Sequence, residues 1–154
     1  MSTNKTDATK LLEQDHREVE DLFKKFEDLT DRAKVSKKKI ADQICNELTV
    51  HTQIEEEIFY PAVRESGDDF EDMVDEAVVE HASAKDLIAQ IESMDPDEDL
   101  YDAKVKVLQE MIEHHVEEEE KEMFPKVRKL GLDLDEIGRQ MQARKEQLKA
   151  AMGA

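Results

Sequence analysis

Residues 51–61 read HTQIEEEIFYP and residues 115–125 read HVEEEEKEMFP. Each stretch opens on a histidine, sets a glutamate four residues later (Glu55, Glu119) and closes on a proline (Pro61, Pro125). The offset is constant, since 115 − 51 and 125 − 61 both give 64. Self-similarity of this kind marks a repeated structural unit. His16 precedes the first copy by 51 − 16 = 35 residues, and His81 precedes the second by 115 − 81 = 34. Each of these two has a leucine six residues on, Leu22 and Leu87. The chain therefore reads as two helical hairpins, each with a histidine on its first helix and His-x-x-x-Glu on its second.

Working outward, apolar residues recur at helical spacing in five segments, about 7–29, 36–64, 69–94, 97–129 and 133–151. Pro61 and Pro125 are expected to end or kink the second and fourth. Asp68 and Asp69 are placed to cap the third, Asp95-Pro96-Asp97 reads as a turn and cap before the fourth, and Gly131 ends it. Short connections make neighbouring helices antiparallel. The prediction is an all-α fold: a single domain over 1–154, with an up-down-up-down four-helix bundle at about 7–129. A C-terminal helix at about 133–151 packs across one end or side. No strand pattern competes.

The helical phase locates the chemistry. The core stripe of the second helix runs 40, 44, 48, 51, 55, 58, 62, and only His51 and Glu55 in it are polar. On the fourth helix it runs 101, 105, 108, 112, 115, 119, where the exceptions are His115 and Glu119. His16 lies one turn from Leu12 and Val19, and His81 one turn from Ala77 and Ala84. Burying an ionised carboxylate costs several kcal/mol, and an unpaired imidazole loses hydrogen bonds worth roughly 1–3 kcal/mol. A metal ion removes both costs, because it takes imidazole nitrogen and carboxylate oxygen as ligands and its charge cancels the carboxylates. One histidine on an apolar face is most often a satisfied core residue. Four at matched depth, with two glutamates, are a ligand set. His114 has the wrong phase and reads as a surface group. Glu56, Glu57, Glu118 and Glu122 read as solvated or as partners of the ligands, and Phe59, Tyr60, Met123 and Phe124 as packing.

The ordered set His16, His51-x-x-x-Glu55, His81, His115-x-x-x-Glu119, with the phrases EEEIFYP and HHVEEEEKEMFP, resembles the hemerythrin-like (HHE cation-binding) family over nearly the whole chain. That resemblance implies a non-haem di-iron centre, two iron ions with an oxo or hydroxo bridge. One iron is then held by His16 and His51, the other by His81 and His115, and Glu55 and Glu119 bridge them. Glu120 is a lesser rival to Glu119. It also implies a protein that binds or senses a small ligand (dioxygen, peroxide, nitric oxide) or handles iron. The alternative is a di-iron peroxidase or oxidase. The chain departs from oxygen-carrying hemerythrins, which have a second histidine on the third helix. Here Ala77 and Lys85 flank His81 one turn to either side. A zinc hydrolase is disfavoured because HExxH is absent.

Composition bounds the partners. With 40 acidic against 22 basic residues the formal charge is −18, a field that repels nucleic acid and anionic membranes and attracts cations. No apolar run approaches the ~18 residues of a membrane span. A single cysteine, Cys45, permits no intrachain disulfide and reads as a core thiol. The sequence thus predicts a cytoplasmic protein, monomeric or weakly self-associating.

Overall fold

Asp7 starts the first helix by accepting the Lys10 amide hydrogen at 3.0 Å. In the computed structural model, which describes residues 7–153 and leaves the Asp68 side chain aside, α1 spans Ala8–Glu27 and α2 Lys34–Ile54. A π-helical turn, Glu55–Phe59, joins α2 to the short α3, Tyr60–Glu65. A 3₁₀ turn at Asp68–Phe70 leads into α4, Glu71–Glu92. The second hairpin repeats the pattern: α5 (Tyr101–Glu118), a π turn (Glu119–Met123) and α6 (Phe124–Val127). The last helix is α7, Leu134–Gly153. All elements among the described residues are helical, and none is long and apolar enough to cross a membrane.

The prolines neither end nor sharply break their helices. Each stands at the start of α3 or α6, directly after a π turn. In the first π turn the Tyr60 amide bonds the Glu55 carbonyl, and in the second the Phe124 amide bonds that of Glu119. One extra residue per turn lets the chain bring in a proline ring without a clash. The extra residue also moves the apolar stripe. Ile58 and Ala62, expected in the core, are only half-buried, while Phe59 and Val63 are buried.

Two capping expectations fail. Phe70 stands at the N-cap of α4 with no side-chain cap bond, and for Asp68 the expectation lies outside the described side chains. Asp97 does not begin α5 either. Residues 95–100 form turns, and the helix starts after Leu100, whose φ of 75° is left-handed and cannot continue a helix. Gly131 takes φ 76° where the chain leaves the second hairpin, as expected. Val78, counted with the apolar stripe of α4, is exposed.

The apolar core is split. One cluster gathers Leu12, Ile54, Phe59, Val63, Val74, Phe124 and Met141. The other gathers Val19, Phe23, Ile44, Leu48, Ile88, Tyr101 and Leu108. Buried Cys45 belongs to the second, and burial pushes its thiol up to about 12, as befits a core residue. Between the clusters lies a buried polar layer: His16, His51, Glu55, His81, His115 and Glu119. Helix α7 packs along α1 and α2, closing the first hairpin only.

Candidate metal centre

All six sequence-predicted side chains meet in that layer. Their ligand-type atoms form two groups, His16 with His51 and Glu119, and His81 with His115 and Glu55, each gathered within 4.8 Å. His16 Nε2 stands 3.2 Å from Glu119 Oε1, and His81 Nε2 3.0 Å from Glu55 Oε1. His51 and His115 approach the glutamates of their own helices at 3.4 and 3.3 Å. These approaches are poor hydrogen bonds. His16 Nε2, His51 Nε2, both Glu55 oxygens and Glu119 Oε1 are buried without a hydrogen-bond partner. Buried polar atoms are almost always paired. Five orphans facing one another are the atoms a cation would satisfy, so the residues fit a metal.

Outside the layer, every histidine is held by a carboxylate. Nδ1 of His16 meets Glu120 at 2.6 Å, that of His51 meets Asp15 at 3.0 Å, that of His81 meets Glu56 at 2.7 Å and that of His115 meets Glu80 at 2.6 Å. All four carboxyls lie below their ordinary range. The His16 and His115 hydrogen bonds lower Glu120 and Glu80. Burial opposes the shift at Asp15 and Glu56, but His51 with Lys145, and Lys85 with His81, outweigh it. An ionised carboxylate only accepts, so each Nδ1 carries the hydrogen and each Nε2 turns its lone pair inward. Carboxylate–histidine pairs of this kind orient metal-binding imidazoles.

These four partners obey the repeat and were missed by the phase argument. Asp15 and Glu80 directly precede His16 and His81, and Glu56 and Glu120 directly follow Glu55 and Glu119. Glu120 thus lies behind His16 rather than in Glu119's place. Tyr60 corrects the sequence reading more sharply. Instead of packing at the bundle end, its hydroxyl donates to Glu119 Oε2 at 2.6 Å and lies 3.4 Å from Nε2 of both His81 and His115. The repeat mate of Tyr60 is Phe124, whose ring stacks on His16 at 6.1 Å. Only one half of the centre therefore has a phenol.

In the metal-free chain, burial and the charge of Glu119 push Glu55 well above the carboxylate range. Burial would raise Glu119 too, but His115 and His16 hold it well below. Burial lowers His16 and His115, yet the carboxylates around them raise the first to about 8 and the second to about 10. Burial and the neighbouring His115 push His81 down to about 4.

The fold and the site together define a cation-binding helical bundle. The chain belongs to the hemerythrin HHE cation-binding domain family, whose model matches residues 7–127. It is 29% identical over 120 residues to a DNA nickase of Nostoc sp., covering 77% of this chain and 32% of the nickase. This chain therefore spans about a third of that relative. It is 28% identical over 113 residues to the uncharacterized protein Rv2633c of Mycobacterium tuberculosis, covering 71% of this chain and 68% of the relative. The crystal structure of an HHE domain-containing homolog of Rv2633c from Mycobacterium kansasii superposes with a TM-score of 0.80. It is 24% identical and covers 94% of this chain and 88% of that one. That likeness concerns the fold.

Proposed function

We propose that this core holds two non-haem irons and uses them to bind a small exogenous molecule such as dioxygen, peroxide or nitric oxide. His16 and His51 hold one ion, His81 and His115 the other, and Glu55 and Glu119 lie between them. The convergence of orphaned Nε2 and carboxylate oxygens carries this reading. Imidazole with carboxylate suits iron, which when bound supplies a redox-active centre with positions open to an added ligand. A void of about 20 Å³ beside the four histidines, walled by Val19, Leu48, Ile112 and Val116, supports a small ligand. Such a space admits one molecule of about water's size. Anaerobic Fe(II) titration is expected to saturate at about two equivalents, falling to one in His115→Ala. Saturation of the wild type at one, or none, refutes the dinuclear reading.

Tyr60 favours a second reading, a di-iron peroxidase or oxidase. Burial and the charges of Glu119 and Glu55 push its hydroxyl well above the ordinary phenol range, so it keeps its proton at Oη beside Glu119. That is the posture of a proton donor. The binding reading predicts peroxide turnover well below the ~10 s⁻¹ median of enzymes, with Tyr60→Phe leaving it essentially unchanged. A rate at or above that median, lost in Tyr60→Phe, makes the protein an enzyme.

A further inference from the structure

Three of the four carboxylates behind the histidines have a cation behind them in turn. Glu120 pairs with Arg17, Asp15 with Lys145 and Glu56 with Lys85. Glu80 is the exception: among the described residues no lysine or arginine lies within ion-pairing distance of it. Its Oε1 accepts from His115, and its Oε2 faces His114 Nε2 at 3.7 Å. His114 Nε2 also stands 3.2 Å from Glu118 Oε1. The ligand-type atoms of Glu80, His114 and Glu118 lie within 4.8 Å of one another. The place that a basic side chain fills three times is here lined by an imidazole and a second carboxylate.

His114 and Glu118 form a third His-x-x-x-Glu, one residue out of phase with the buried one and therefore on an outer face. The repeat shows that this is particular to the second hairpin. Sixty-four residues earlier stand Val50 and Ile54, both buried on the side that α7 covers. His114, by contrast, is 69% exposed. A cavity of about 270 Å³ opens beside the triad and reaches inward to His115 and Glu119, the latter with its orphaned, buried Oε1. Asp69, Asp72, Glu76 and Glu122 line its rim, and no basic side chain is among its lining residues. Ala77 lines it too, and its short side chain leaves the way open.

We infer that Glu80, His114 and Glu118 form an outer binding site for a divalent transition-metal cation, which passes ions through the acidic cavity to the buried layer. The donor set is one imidazole and two carboxylates, suited to ions of the iron and zinc type. An ion there would complete the fourth carboxylate's charge pairing, and a single-sign cleft raises cation on-rates by roughly 10-fold to 1,000-fold.

The relay rests on the dinuclear reading, whereas the outer site does not, so the test reads them apart. Zn(II) titrated into the whole apo chain against a chromophoric chelator is expected to show three equivalents. His114→Ala and Glu118→Gln each leave two, and Glu117→Gln, on the exposed face of the same helix, keeps three. Totals that do not change in His114→Ala and Glu118→Gln overturn the outer site. One equivalent in the wild type and none in these variants would uphold it and refute the buried centre. Stopped-flow Fe(II) loading of apo protein should slow roughly tenfold in His114→Ala, with final occupancy unchanged. Equal loading rates overturn the relay.

Discussion

Apo protein given two equivalents of Fe(II) without oxygen melts far above the same protein in chelator. At free metal about a thousandfold over Kd, one site contributes about 4 kcal/mol of stability. Each kcal/mol moves the melting point of a domain of this size by about 2–4 °C. The expected rise is therefore roughly 8–16 °C per site. Its pH dependence has a definite sign. His16 near 8 and His115 near 10 are raised in the metal-free fold. Their protons therefore stabilise the apo form fully below the ordinary histidine value, and that stability is lost as pH rises through 8 and 10. Metal must displace those same protons. The gap between loaded and apo melts accordingly widens from about pH 6 to about pH 8 and closes on acidification. Calorimetry of both forms across that range checks it. Coincident melts would remove the argument that a cation compensates the polarity of the core.

Glu55→Met is expected to act in opposite directions on the two forms. In the apo chain both Glu55 oxygens are buried and unpaired, and its carboxyl is pushed toward the neutral state. An unsatisfied buried polar group costs about 1–3 kcal/mol, and methionine fills similar space without that cost. The apo variant should melt roughly 2–12 °C above apo wild type. The same substitution removes a carboxylate shared between the two histidine groups, so Fe(II) stoichiometry should fall below two and the stabilisation by metal should largely disappear. An apo variant that melts at or below apo wild type would mean that Glu55 is satisfied in the metal-free core.

Helical phase was enough to place His16, His51, Glu55, His81, His115 and Glu119 in one layer, because four-residue spacing is readable wherever a helix is regular. It failed just beyond each glutamate. There the chain winds as a π turn, and a period of 3.6 puts Ile58 inward when Phe59 is the buried residue. Tyr60 was illegible for the same reason: its route to Glu119 begins in that turn. The carboxylates behind the histidines were hidden differently. In a chain with 40 acidic residues, Asp15 or Glu80 has no local mark. Only their shared position beside a histidine in both halves sets them apart. The false caps at Asp68, Asp69 and Asp97 were plausible locally, but they gave way to a 3₁₀ turn and to the left-handed Leu100.

Each π turn amounts to a helix carrying one surplus residue, and in the language of sequence change that is an insertion held in both halves. Deleting one residue between Glu56 and Ile58 would restore a regular helix but rotate everything after it by about 100°. Tyr60 would swing out of the core and Pro61 would meet an intact turn. The phenol beside Glu119 therefore depends on an indel as much as on the choice of tyrosine at that position. Matching insertions at Glu55 and Glu119 are most simply explained if the surplus residue was already present when one hairpin became two. The Tyr60/Phe124 difference and the exposed His114–Glu118 pair would then be later departures from a once-symmetric molecule.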